Sequence, residues 1–315
     1  MPELDERLRL AELTMTALAE PASADLPPKI AVHPRPAGSF AHAMPAHLRR
    51  SLSDDDLLGI KWIAGFGSNS GLGLPVLHGL VIVNDAATGV PTAILDAGPI
   101  TAQRTAAVSG VAIRRFAPEV LERGPRAALI GAGVQGRSHL PVLGRVLPGV
   151  TLNVFDRHPE RAEALVADAA ATPGIAAAHA AKSARQAVDG ADVVITAASF
   201  APPASRQVMT NDWLLPSSLI VPVDYATYCA AEVARDAELF LVDHRDQFLA
   251  NRDAGSFEGY PDPDSTLGEA IIARTPRPDG RVVVSHLGVG LADIVFAAAI
   301  VATATERGLG TELPR

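Results

Sequence analysis

Cysteine is nearly absent from this chain of 315 residues. Cys229 is the single one, which excludes an internal disulfide and a cysteine-based zinc site. Aromatic residues are scarce, at 4%, so the core has to come mostly from Ala, Val, Leu and Ile, which the 48% hydrophobic content supplies. Positive charge is in deficit: 27 Lys and Arg stand against 35 Asp and Glu, for a formal net charge of −8. No basic stripe interleaves with aromatics, so nucleic acid is not an expected partner. Long apolar runs are also missing. The most apolar stretch, near Ile294–Ala304, is too short to cross a bilayer, so no membrane role is expected. The N-terminal MPELDERLRLAELTM is charged and amphipathic, without the basic start and apolar centre of a secretory signal. These absences lead to the expectation of a cytoplasmic globular protein, long enough for two domains or one large one.

What is present is a glycine motif in the right surroundings. The apolar run Ala128-Leu129-Ile130 leads into Gly131-Ala132-Gly133-Val134-Gln135-Gly136, and a second strand, Thr151–Phe155, ends in Asp156. A strand, a G-x-G-x-x-G turn, a helix and an acid about twenty residues on form the dinucleotide-binding fingerprint. Gly131 allows the tight turn, Gly133 lets the backbone approach a pyrophosphate, and Gly136 lets the helix pack close to the strand. The pyrophosphate then sits on a helix N-terminus, where free N–H groups and the dipole favour an anion. Asp156 is placed to accept hydrogen bonds from the adenosine ribose. An acid there favours NAD, whereas Arg157 beside it offers a partner for a 2′-phosphate, so NADP stays open.

Periodicity divides the chain in two. Residues 3–20 read as an amphipathic helix. Short strands are expected over Lys29–His33, Ser39–Met44, Gly59–Phe66, Gly79–Asn84 and Pro91–Asp96, the last two joined by a turn at Asp85–Gly89. An Ala-rich helix spans Ile100–Phe116, with Thr101 as its expected N-cap. From Arg126 the pattern becomes βα alternation. Strands at 126–131, 150–156, 175–179, 192–197, 218–223 and 239–243, and a further one at Val282–Ser285, alternate with helical segments, which implies a doubly wound parallel sheet. Leu291–Arg307 reads as a final helix. The expected fold class is therefore α/β, a Rossmann-type sheet with a discontinuous substrate and dimerisation domain. The expected divisions are 1–118 for that domain, 119–285 for the dinucleotide domain, and 286–315 for a helix returning to the first. Strand edges and apolar faces in the first domain lead to the expectation of a homodimer.

Three polar clusters stand out in the first domain: Pro28-Lys29-Ile30 with Gly38–Ala46, Ile60–Phe66 followed by Asn69, and Ile100–Ala107. Taken alone, Lys61 reads as a strand lysine snorkelling to water, and Arg104 as half of a surface salt bridge. Taken with Gly73-Leu74-Pro75, Asp85, Thr88-Gly89, Pro91, Asp96, Arg104-Thr105-Ala106-Ala107 and the glycine loop, they resemble the ornithine cyclodeaminase/mu-crystallin family. The resemblance covers nearly the whole chain.

That resemblance implies roles. Lys61 is similar to a lysine that contacts the substrate near its carboxylate and α-nitrogen. Arg104 is similar to an arginine that clamps the α-carboxylate, a task suited to a planar fork of donors. Asp224, after the strand Leu219–Val223, is similar to a catalytic aspartate, and its plain alternative is a helix N-cap. Met44 corresponds to a pocket-lining methionine. Thr101, Arg104 and Thr105 could also touch a cofactor phosphate. Two departures bear on the substrate: Lys29 stands where an arginine is usual, with Arg35 nearby, and Gly67 stands where proline is frequent. The implied chemistry is hydride transfer between NAD (or NADP) and the α-carbon of an amino acid or cyclic imine. Ornithine-type cyclisation with ammonia loss is the first form. The alternatives are a net amino-acid dehydrogenase or imine reductase, and a non-catalytic nucleotide binder. No metal is implied.

Overall fold

The computed structural model describes residues 1–49, 55–120 and 123–313. Two units can be separated, Met1–Arg104 with Val289–Arg315, and Thr105–Gly288.

The first unit opens with helix α1 (Leu4–Ala19) and continues through strands β1 (Ala24–Asp25), β2 (Ile30–Val32), β3 (Phe40–Leu48), β4 (Leu57–Gly65), β5 (Leu77–Asp85) and β6 (Pro91–Asp96). The strands form one sheet in the order β1-β3-β4-β5-β6, with β2 also on β3, and every pairing is antiparallel. Period-two alternation gives this sheet two different faces. In β4, Gly59, Lys61, Ile63 and Gly65 are buried, whereas Trp62 is exposed. The β5–β6 turn closes as expected: the Asp85 carboxylate accepts the Thr88 N–H (2.7 Å) and hydroxyl (2.6 Å), and Gly89 takes the φ of +75° that the turn demands.

The buried face carries helix α9 (Gly290–Glu306), which packs on β3, β4, β5 and α1. Gly290 makes this approach possible. A Cβ there would stand 2.6 Å from the Met44 carbonyl oxygen and 3.1 Å from the Met44 Cβ.

Helix α2 (Ala97–Phe116) follows β6 directly. It starts before Ile100, and Thr101 lies inside it instead of capping it. The Asp96 carboxylate accepts the Gly98 N–H at 2.8 Å and does the work expected of Thr101. The division between the units falls within α2, not after it at 118.

The second unit holds β7 (Arg126–Ile130), α3 (Val134–Val146), β8 (Val150–Phe155), α4 (Pro159–Ala170), β9 (Ile175–Ala180), α5 (Ala184–Val188), β10 (Val193–Thr196), β11 (Leu219–Pro222), α6 (Ala231–Arg235), β12 (Leu239–Val242), α7 (Arg245–Asp253), β13 (Ser265–Thr266), α8 (Leu267–Ile272) and β14 (Val282–Ser285). The eight strands are parallel in the order β13-β12-β14-β11-β10-β7-β8-β9. Strands β10, β11 and β14 are buried along their whole length, the mark of a sheet covered on both faces. Chain order reverses between β7 and β10, so the crevice beyond their C-terminal ends is the ligand position of a doubly wound sheet. This is the Rossmann-type sheet that the alternation called for. Among the described residues, no helix is long and apolar enough to cross a membrane.

Gly290→Val should destabilise the protein by about 1–3 kcal/mol, the usual cost of overpacking. Thermal melting would check this. Gly290 packs within the first unit, so the fold of the second unit, read by nucleotide affinity at low temperature, should survive.

Candidate active site

Gly131 sits at φ +104°, and a Cβ on it would lie 2.4 Å from the Ala197 carbonyl oxygen at the end of β10. Gly136 has the same intolerance, since its Cβ would meet the Gly131 oxygen at 2.2 Å. These two glycines are needed for protein packing. Gly133 is different: nothing lies within 4 Å of where its Cβ would stand. It is also the N-cap of α3, with no side chain capping the helix. The α3 N-terminus thus presents backbone N–H donors beside an open space, which fits a pyrophosphate. Val134, also at this turn, is 70% exposed.

A cavity of about 270 Å³ opens here, lined among others by Gly131, Gly133, Asp156, Arg157, Arg161 and Tyr228. Asp156 is held in place by the loop: its Oδ2 accepts the Ala132 N–H (2.8 Å) and its Oδ1 the His158 N–H (2.9 Å). Gln135 is fixed through its backbone. The neutral His139 donates from Nδ1 to the Gln135 carbonyl (2.7 Å), and its Nε2 accepts from the Ser109 hydroxyl (2.8 Å). Burial drives the His139 pKa down to about 4, which keeps the ring neutral, and the Gln135 carbonyl fixes the tautomer. Ser109 in turn meets His286 Nε2 at 2.8 Å.

Asp224 follows β11 and is 2% exposed. Its Oδ1 accepts from the Thr196 hydroxyl (2.7 Å) and its Oδ2 from the Ala198 N–H (3.1 Å). Ala198 is one of the cavity-lining residues. Burial raises the Asp224 pKa to about 7, although its hydrogen bonds oppose the shift. A helix-cap role does not apply, because the next helix, α6, begins at Ala231 with Ala230 as its N-cap. A buried carboxyl that changes protonation near neutrality is a candidate proton donor and acceptor.

The first unit gathers a second set of groups on the buried sheet face. Lys61 stands opposite Met44 on β3 and Val81 on β5, and is 1% exposed. Its ammonium lies 2.5 Å from Asp293 Oδ2 and donates to the Thr101 hydroxyl at 3.5 Å. Asp293 Oδ1 accepts from Arg104 Nε at 3.1 Å. Neither Lys61 nor Arg104 is at the surface, so the snorkelling and surface-pair alternatives both fail. Burial lowers the Lys61 pKa to about 7; Arg104 and Lys29 push the same way, and Asp293 pushes back. Among the described residues, the two Nη groups of Arg104 have no protein partner, which leaves the fork end available for a carboxylate.

The site residues expected from the sequence therefore fall into two sets. Lys61, Thr101 and Arg104 are brought together, with Met44 opposite Lys61 and Lys29 near enough to shift it. Gly131, Gly133, Asp156 and Arg157 line the nucleotide cavity. Gln135 and Gly136 support the loop, and Thr105 is buried on α2. Sequence reasoning missed Asp293, which ties the first set together. Its signal was a lone acid in the apolar stretch Gly290–Ile300, since a buried carboxylate needs partners. It also missed His42, a diagonal neighbour of Lys61 on the same sheet face, and Thr227, which lines the cavity and whose buried hydroxyl has no hydrogen-bond partner among the described residues.

Comparison with known proteins agrees with this geometry. The nodulation efficiency protein NfeD of Rhizobium meliloti is 33% identical over 295 residues, covering 90% of this chain and 86% of that protein. Two solved structures share the fold. One is a Thermococcus litoralis Δ1-pyrroline-2-carboxylate reductase in complex with NADH and L-proline, with a TM-score of 0.84 at 24% identity over 99% of this chain and 96% of that one. The other is an archaeal alanine dehydrogenase dimer with bound NAD, also at 0.84 and 24%, over 99% and 95%. The profile of the ornithine cyclodeaminase/mu-crystallin family matches residues 3–307. The chain belongs to the ornithine cyclodeaminase/mu-crystallin family.

Proposed function

We propose that this protein is a nicotinamide-dependent oxidoreductase that interconverts an α-imino acid and the corresponding α-amino acid. The observation that carries this is that each unit holds its own chemistry: in the first, an Arg104 fork held by Asp293, and in the second, a buried acid, Asp224, poised near neutrality beside a dinucleotide cavity. The α3 N-terminus at Gly133, with Asp156 and Arg157, would hold the dinucleotide, NAD by virtue of Asp156. The nicotinamide, when bound, supplies or accepts the hydride at the substrate α-carbon. Arg104 and the Lys61 ammonium bind the α-carboxylate and so fix the α-carbon in orientation. Asp224 gives a proton to the imine nitrogen in reduction and takes it back in oxidation, which balances the hydride. Ornithine-type cyclisation is the second reading. It requires a carboxylate to accept a proton from a distal ammonium, and Asp224 has the chemistry for it.

Arg104→Ala should raise KM by about tenfold to a hundredfold, the worth of one or two charge-assisted hydrogen bonds, and lower kcat as well. Asp224→Asn should leave binding nearly intact and cost about a hundredfold or more in kcat. With a pKa of about 7, Asp224 is protonated below that pH and ionised above it. The kcat for imine reduction should therefore fall as pH rises through neutrality, and kcat for amine oxidation should rise. Lys61 titrates in the same range, and its lost ammonium should appear in KM. A parent-like kcat–pH profile in Asp224→Asn would remove Asp224 from the mechanism. Product identification by mass, with NADH consumption, separates reduction from cyclisation.

A homodimer is the second element of the proposal. The sheet face away from α9 exposes Trp62, Leu80 and Ile94, with Trp62 directly opposite Leu80 and Ile94 opposite Ile82. Such a contiguous apolar face asks for a cover, and a second copy supplies a matching one. Sedimentation at micromolar concentration should give a dimer mass for the parent and a monomer for Trp62→Glu.

A further inference from the structure

The wall of the nucleotide cavity, which lies wholly in the second unit, contains a polar group shut off from water. Of the polar side chains that line the cavity, Arg157, Arg161, Ser199 and Ser205 are exposed, and Asp156 and Tyr228 are half-buried. Thr227 lines it too, yet is only 4% exposed. Its hydroxyl is buried and has no hydrogen-bond partner among the described residues. The backbone of Thr227 is engaged on both sides: its N–H donates to the Asp224 carbonyl at 3.1 Å, and its carbonyl accepts the Gln207 N–H at 3.1 Å. The neighbouring Tyr228 carbonyl accepts the Met209 N–H at 2.8 Å. The turn after Asp224 is therefore held in place, and the hydroxyl is the unmet group of this residue.

A buried hydroxyl left unpaired costs stability, and a valine of similar shape would fill the place without that cost. The surroundings indicate what the hydroxyl meets. Gly131 and Gly133, at the turn that fits a pyrophosphate, line the same space as Thr227, and so do Asp156 and Arg157 after β8. Tyr228, the next residue, is close enough to that end for its charges to act: burial first, then Asp224 and Asp156, raise the Tyr228 pKa, and Arg157 opposes them. At about 270 Å³ the cavity is smaller than the roughly 300–1,000 Å³ that encloses a whole drug-sized ligand, so it suits a part of a dinucleotide, the adenosine and pyrophosphate. Phosphate and ribose oxygens accept hydrogen bonds, and one change of staggered χ1 rotamer reorients a threonine hydroxyl toward them.

We propose that Thr227 is a further cofactor-binding residue, and that its hydroxyl takes its missing partner from an oxygen of the adenosine–pyrophosphate half of the bound dinucleotide. Because the turn is already held by its backbone, little freedom is lost when that partner arrives. This rests on the reading of the cavity as a dinucleotide site made above.

The test is calorimetry on the full-length protein with NADH and with ADP-ribose, which lacks the nicotinamide, together with thermal melting. Thr227→Val should bind both ligands about tenfold more weakly than the parent, the worth of one hydrogen bond, and Thr227→Ser should keep near-parent affinity. Without nucleotide, Thr227→Val should melt no lower than the parent, since it removes an unpaired hydroxyl. The same concentration of NADH should then raise the melting temperature of the parent more than that of the variant. A lower melting temperature for Thr227→Val without nucleotide would give the hydroxyl a structural role and overturn the inference. Parent-like affinity of Thr227→Val for both ligands would overturn it too, while the dinucleotide reading stands. A loss confined to NADH would show that the adenosine–pyrophosphate half is the wrong partner. If the parent binds neither ligand, the dinucleotide reading fails, and this inference with it.

Discussion

The first unit depends on one buried carboxylate. Asp293 is fully buried and faces two cations, Lys61 and Arg104, which are themselves almost fully buried. Removing such charges from water costs several kcal/mol each, and only close pairing offsets that cost. The arrangement therefore fixes three elements against one another: β4 through Lys61, α2 through Arg104 and α9 through Asp293. Two cations on one anion also leave a net positive charge in a low-dielectric place. That excess is what the proposed carboxylate binding draws on, and burial strengthens an attraction that water would otherwise screen. The same burial lowers the Lys61 pKa, so the attraction weakens above neutrality.

The second unit solves a different problem. Its carboxylic acid, Asp224, has no cation acting on it among the described residues; burial raises its pKa, and hydrogen bonds from Thr196 and Ala198 hold its orientation. Next to it, Tyr225 takes φ +59°, a left-handed conformation that costs a non-glycine residue on the order of 1–3 kcal/mol. The few aromatics of the chain concentrate around this point. Tyr225 stacks on Phe257 at 5.4 Å and meets Phe200 edge-on at 5.1 Å, and Phe257 packs in turn on Phe248 and Tyr260. A composition poor in aromatic rings has placed several of them where a strained turn presents the acid.

Much of this was legible in the sequence, and the parts that were not have a common cause. The parallel sheet, the glycine loop and Asp156 are local patterns, written within about thirty residues. Asp224, Lys61 and Arg104 were legible through family resemblance, because no local pattern marks them. Asp293 pairs with Arg104 across 189 positions, a contact that periodicity cannot reveal. The cap of α2 failed for a related reason. Thr101 and Asp96 are both good capping residues, and propensity does not say which is nearer the end of β6. The Ser109–His139–His286 chain likewise joins α2, α3 and the end of β14, three elements that meet only in the fold.

The tripeptide Ile60-Lys61-Trp62 shows how closely the two roles of the first sheet are written together. Alternation sends Lys61 inward to Asp293 while Ile60 and Trp62 face the opposite side. A slip of one residue in the β3–β4 register would turn the indole toward α9 and leave Lys61 on the apolar face. The pairing that buries the cation is thus the pairing that creates the bare hydrophobic surface. Gly59 and Gly65 on the same strand help to hold it. A Cβ at Gly59 would meet the Ile82 carbonyl oxygen at 2.3 Å, and one at Gly65 would meet the Phe40 ring at 2.3 Å, so each glycine fits the register it has and no bulkier residue can share it. The buried cation on one face and the exposed apolar residues on the other therefore follow from a single strand register, and neither can shift without the other.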